Sequence, residues 1–168
     1  MTLSSIVALV CLLGFCGLML GAALSDLRSL TIPNRISIGI ALLYPAFVLS
    51  SGLPLDWLGG LMTGGGLLLA GFVLFALGGL GGGDAKLLAA GGLWAGPQLV
   101  LPYLFLIALT GGVMALIMWL RHRLAKAVIP ALVFATPGDE DFAKKPMPYA
   151  VAIATGALYV AFTILKLG

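Results

Sequence analysis

Read as apolar and polar positions, the chain resolves into long apolar blocks separated by short polar interruptions. Residues 3–24 form the first block, and the polar stretch 25–35 closes it. Residues 36–50 are the second block, 51–56 a turn, and 57–77 the third. A shorter run, 86–94, is the fourth, broken at Gly96-Pro97-Gln98. Residues 99–120 are the fifth, 121–145 the one polar connection of any length, and 147–165 the sixth. A helix needs about 20 apolar residues to cross a bilayer. The pattern therefore predicts an all-α membrane protein, a bundle of about six transmembrane helices forming one domain over residues 1–168. Pro33 is placed to open the second helix, where its missing N–H costs nothing. The first block has no basic flank before it and no small-residue cleavage site after it, so it reads as a span rather than a removable signal peptide. Within the polar connection, residues 127–135 are apolar enough to lie along the inner leaflet.

Composition agrees. Hydrophobic residues make up 61% of the chain and charged residues 9%, with a mean hydropathy of +1.17, against about 25% charged in soluble domains. The net charge of +3 reports orientation rather than nucleic-acid binding. With the N-terminus outside, Arg28, Arg35, Lys86, Arg121, Arg123, Lys126, Lys144 and Lys145 all fall inside and only Lys166 outside, as the positive-inside rule requires. Deleting the short fourth span would put the Arg121 cluster on the wrong side. Cys11 and Cys16 lie within the first span and read as small packing residues.

Against this apolar background two carboxylates stand out. Asp26 ends the first span and Asp84 starts the fourth, on the same predicted side and at the same depth. An ionisable group near hydrocarbon is costly and marks a functional position. Each is followed two residues later by a base, Arg28 and Lys86, and positions i and i+2 of a helix do not face each other. The bases can snorkel to the headgroups and leave the acids facing one another; the alternative is two interfacial end-caps without contact. Two close carboxylates share one proton. The ionised member can then act as general base on water, while the protonated one polarises a peptide carbonyl and protonates the leaving amine. No metal is needed. There is no HExxH run and no Ser–His–Asp set, and the single histidine, His122, sits in a basic cluster as a solvated residue. Gly81, Gly82 and Gly83, just ahead of Asp84, permit close backbone approach, whereas a phosphate cradle would need a Gly-Lys-Ser/Thr run that is missing. Gly60 and Gly64 have the GxxxG spacing of close helix packing.

These residues resemble a known family. Gly81-Gly82-Gly83-Asp84 fits the GxGD motif of intramembrane aspartyl proteases, and residues 81–96 look like the second catalytic motif of the prepilin peptidases. Asp26-Leu27-Arg28 through Ile32-Pro33-Asn34 resembles the first such motif, and Pro146-Met147-Pro148-Tyr149-Ala150 the element that opens the family's last helix. The resemblance implies an aspartic-type endopeptidase of the cytoplasmic (inner) membrane. It would cut the leader from type IV or Flp pilin-like precursors at the cytoplasmic face, with Asp26 and Asp84 as the catalytic pair. Gly81 and Gly83 would admit the substrate, and Arg28, Lys86, Pro33 and Asn34 would shape the site. It implies no cofactor. Its partners would be a precursor carrying a leader and a hydrophobic segment, and the lipid bilayer, with no nucleic acid; a homo-oligomer stays open. Long family members carry a cytosolic zinc-binding insertion with CxxC pairs. None occurs here, so zinc and N-methylation are not carried over, and the short form resembles the Flp, or tight-adherence, peptidases. Presenilin-like proteases also use GxGD, but here Pro130-Ala131-Leu132 lies in the polar connection rather than at the start of the last span. From another class, a small transporter or structural membrane subunit could use such acids for protons or cations. Its site would be expected near the midplane, at helix breaks in repeated halves.

Overall fold

The computed structural model describes residues 3–128 and 147–167. Five helical elements follow in order: α1 (Leu3–Ser29), α2 (Asn34–Ser51), α3 (Trp57–Ala76), α4 (Gly82–Val128) and α5 (Tyr149–Leu167). All five are long and apolar enough to cross a membrane. The Asp139-Glu140-Asp141 patch, Pro130-Ala131-Leu132, Lys144, Lys145, Pro146 and the inner-leaflet stretch at 129–135 lie outside the described residues, as does the side chain of His122.

The bundle of about six spans and the five elements are reconciled within α4. Its 47 residues would extend about 70 Å if straight. Gly96, at φ 58° and ψ −175°, breaks it in a region of backbone space open essentially to glycine. Pro97 then starts a fresh turn that needs no N–H. The Tyr103 hydroxyl donates to the Leu88 carbonyl at 3.1 Å, although a straight helix would hold those residues about 22 Å apart. The chain therefore folds back at Gly96, and the expected fourth and fifth segments are its two arms, 82–95 and 97–128. The first arm is only about 21 Å long.

Several boundaries differ from the sequence pattern, most of all the end of α1 and the two ends of α4, which starts at Gly82 rather than Lys86. α1 runs to Ser29, so Asp26 lies inside the helix and not in the interruption. α4 runs on to Val128 through Arg121 and Arg123, because residues 121–128 combine charge with strong helix formers such as Leu, Ala, Lys and Arg.

The first arm of α4 is the bundle's centre. Leu87, Trp94 and Ala95 are buried along it. Trp94 stacks on Phe15 of α1 with centroids 4.4 Å apart, meets Tyr44 and Phe47 of α2, and donates its indole N–H to the Ile40 carbonyl at 3.0 Å. From α3, Gly64 lies so close that a Cβ there would be 3.1 Å from Leu93 and 3.2 Å from the Ala89 carbonyl. The GxxxG spacing thus serves packing of α3 on α4. α5 closes the far side against α1 and the second arm of α4. Cys11 is buried and Cys16 partly so, and both are free thiols.

The hairpins define two ends. Asp26, the α1–α2 turn, the start of α4 and the start of α5 gather at one. Asp56, Gly96 and the end of α5 gather at the other, where Asp56, Gly96 and Leu167 line one small cavity.

Candidate active site

Asp26 reaches its place because α1 continues past the apolar block by one more turn. The helix ends at Leu30, which takes a left-handed conformation (φ 52°) while its N–H bonds to the Asp26 carbonyl at 2.9 Å. Hydroxyls hold the turn that follows. Ser25 Oγ donates to the Thr31 carbonyl at 2.8 Å, Ser29 Oγ to the Ser25 carbonyl at 2.9 Å, and Ser29 and Thr31 share a hydrogen bond at 2.9 Å. Such side-chain bonds compete with further helix and turn the chain toward Pro33, the residue before α2, at φ −61° and ψ 132°.

The same turn docks on the start of α4. Ile32 lies against Gly83, where a Cβ would sit 3.2 Å from the Ile32 Cβ. Asn34 Oδ1 accepts a hydrogen bond from Lys86 Nζ at 3.0 Å. Two contacts across 52 residues of sequence or about that thereby fix the end of α1 beside the start of α4.

Both carboxylates are buried in consequence, Asp26 at 5% exposure and Asp84 at 9%. Asp26 Oδ2 accepts the backbone N–H of Ala150 at 3.0 Å. Ala150 is in the first turn of α5, where N–H groups lack helical acceptors and attract negative charge. Asp84 lies in the first turn of α4, and its Oδ1 is buried without a hydrogen-bond partner. The charge of Asp26 acts on the Asp84 carboxyl. A buried oxygen left unpaired costs about 1–3 kcal/mol, which makes it an expensive feature for structure alone.

The flanking residues separate into those that touch the carboxylates' surroundings and those that face outward. Arg28 and Lys86 are exposed while Asp26 and Asp84 are buried. Lys86 and Asn34 are brought together, and Pro33 is exposed beside them. Gly82 and Gly83 are helical, so their use is space rather than unusual backbone. A Cβ on exposed Gly81 would lie 2.6 Å from Asp84 Oδ2. Among the described residues, no three of His, Cys, Asp and Glu gather into a group able to hold a metal ion.

The Ala150 N–H was not singled out by the sequence pattern, because a backbone donor carries no residue-type signal. The available sign was Pro148, which marks a helix start whose first N–H groups are free to bind an anion.

Comparison with known proteins places this arrangement in context. Residues 8–116 match the type IV leader peptidase family. The chain is 33% identical over 147 residues to a prepilin leader peptidase/N-methyltransferase of Bacillus subtilis, an alignment that covers 86% of this chain and 52% of that relative. The chain thus spans about half the length of the curated relative it matches. No solved structure matches it.

Proposed function

From a chain that belongs to the type IV leader peptidase family, we propose a prepilin leader peptidase that works through the Asp26/Asp84 pair and cuts Flp-type pilin precursors. The observation that carries this reading is the pair itself: two buried carboxyl groups from different helices at one end of the bundle, one with an oxygen that no protein group satisfies.

The chemistry follows from two carboxyls sharing a proton. A water molecule between them gives one proton to the ionised carboxylate as its oxygen bonds to the scissile carbonyl carbon. The protonated carboxyl polarises that carbonyl oxygen. Collapse of the tetrahedral intermediate breaks the C–N bond, and a carboxyl proton passes to the leaving amine. The products are a carboxylic acid on the leader and a free amine on the mature chain, with the pair back at one shared proton. The uncovered face at Gly81, where a side chain would press on Asp84, supports approach of an extended peptide. Gly83, Arg28, Lys86, Pro33 and Asn34 shape the surroundings.

The end holding the aspartates is the cytoplasmic face on this reading. Arg28, Arg35, Lys86, Arg121 and Arg123 sit at that end of their helices and Lys166 at the other, the distribution expected of an inner-membrane protein with its N-terminus outside.

The test is leader removal from a Flp-type pilin precursor by detergent-purified protein. Cleavage is expected to persist in chelators and in serine- and cysteine-protease reagents. Cleavage lost on chelation and restored by a metal ion overturns the mechanism, and intact precursor after incubation with well-folded protein overturns the function.

A further inference from the structure

α2 and α3 each pack on the first arm of α4 but touch each other little, Tyr44 reaching Gly60 near the Asp56 end. The space between them is a trough made of two adjoining cavities, about 510 Å³ and about 450 Å³. Ala41, Leu61 and Leu93 stand in the walls of both. Along α2 the trough extends from Asn34 to Leu49, about 22 Å at 1.5 Å per residue, which is most of the roughly 30 Å hydrocarbon thickness.

Its two ends are unlike. At one end stands the Asn34–Lys86 hydrogen bond, with Lys86 two residues beyond Asp84; the remainder of the wall is apolar apart from Ser37 and Tyr44. Ala89 and Ala90 lie on the α4 side and Gly64 and Gly65 on α3, the small-residue surface on which another helix can settle closely.

We propose that this trough seats one apolar helix of the precursor, which enters sideways from the bilayer between α2 and α3. The proposal rests on the peptidase reading. Its argument for a substrate helix, over a lipid chain or a second copy, is continuity: the polar end of the trough, at Asn34 and Lys86, stands at the same end of the bundle as the aspartate pair. A helix lying in it delivers its own terminal residues to Asp26 and Asp84, while its apolar length stays at hydrocarbon depth. The precursor is then held by its membrane segment, and the pair cuts where that segment emerges.

Two adjacent glycines of α3 supply the test. A Cβ at Gly65 or at Gly66 meets nothing within 4 Å, so either position accepts a larger side chain without internal clash. Gly65 lines the trough and Gly66 lines neither cavity. Gly65→Phe is expected to raise KM for a full-length precursor at least about ten-fold with kcat kept, and Gly66→Phe to stay within about two-fold of wild type on both constants. In parallel, a benzophenone-bearing residue replacing Leu61, in an Asp84→Asn background that leaves precursor uncut, is expected to crosslink to the precursor. This second measurement decides the matter if Gly65→Phe does not fold. Wild-type cleavage matched by Gly65→Phe, or crosslinks from position 61 only to lipid or to a second copy, overturns the trough and leaves the peptidase standing. A wild-type protein that cuts no precursor overturns both.

Discussion

Asp56 and Asp84 are the same residue at the same kind of position, a helix start, at opposite ends of the bundle. Asp56 is exposed and caps α3, its Oδ1 accepting the Gly59 N–H at 2.8 Å. Asp84 is buried, and its Oδ1 has no partner. The first carboxylate is occupied by the helix it begins. The second has been taken out of water with one oxygen left unpaired, beside another buried acid. A carboxylate whose hydrogen bonds are consumed by the fold has little to offer a substrate, whereas one kept short of partners is available to water or to a peptide. On the proposed mechanism the Asp84 end serves chemistry and the Asp56 end structure.

The largest effect expected is at the pair. Asp26→Asn and Asp84→Asn keep side-chain size but, on the proposed mechanism, remove the proton that the pair would share. Each should lower precursor cleavage about 10³-fold or more, with the double variant no worse than either single one, because groups acting as a unit are not additive. Thermal unfolding in detergent should change little. A near-normal rate in either single variant breaks the comparison.

At the other end the signs reverse. Gly96→Ala forces a side chain into a backbone conformation that L residues rarely adopt and should cost about 1–3 kcal/mol of stability, read as a lower midpoint of thermal unfolding. Activity per folded molecule should be kept. Asp56→Ala removes the cap of α3 and should cost about 1 kcal/mol, again with cleavage nearly unchanged. If Asp56→Ala abolished cleavage as the pair variants do, the loss would reflect general sensitivity to carboxylates and the contrast between the ends would fail. The smallest change is Leu30→Gly. It relieves a left-handed leucine costing about 1–2 kcal/mol and gives back part of that as chain entropy. A net gain of about 0.5–1 kcal/mol is expected, seen as a slightly raised unfolding midpoint, and an unchanged or lowered midpoint would show that the turn before α2 is unstrained.

The membrane-spanning elements were legible in the sequence because hydrocarbon imposes a length and an apolar composition on each helix. Gly96-Pro97 marked the reversal within α4 for a similar reason, since few other residue pairs can make it. Less legible was the exact end of α1. Ser25, Asp26 and Arg28 read as an interruption, but a polar residue does not end a helix by itself; the left-handed Leu30 and the hydroxyl bonds around Thr31 do. Asp26 and Asp84 stood out as acids in an apolar chain, yet the contacts that bring their elements together, Ile32 on Gly83 and Asn34 on Lys86, are specific pairings that no periodicity encodes. The donor on Asp26 is a backbone N–H and left no trace in residue type. The gap between α2 and α3 is an absence of packing, and a sequence pattern that records which face of a helix is apolar does not record which neighbour is missing.

At about 21 Å, the first arm of α4 cannot be held in a bilayer by its own apolar length. It is surrounded instead by protein, with residues 89–95 all buried, and so escapes the mismatch that a lipid-facing helix of that length would suffer. During biosynthesis this makes the arm a dependent segment. It gains little from entering the membrane alone and must go in as a hairpin with the residues after Gly96, against α1, α2 and α3 already in place. Asp84 then reaches its final depth only after the second arm has been made, and the Ala150 N–H joins Asp26 later still, so the site is complete only once α5 has been made.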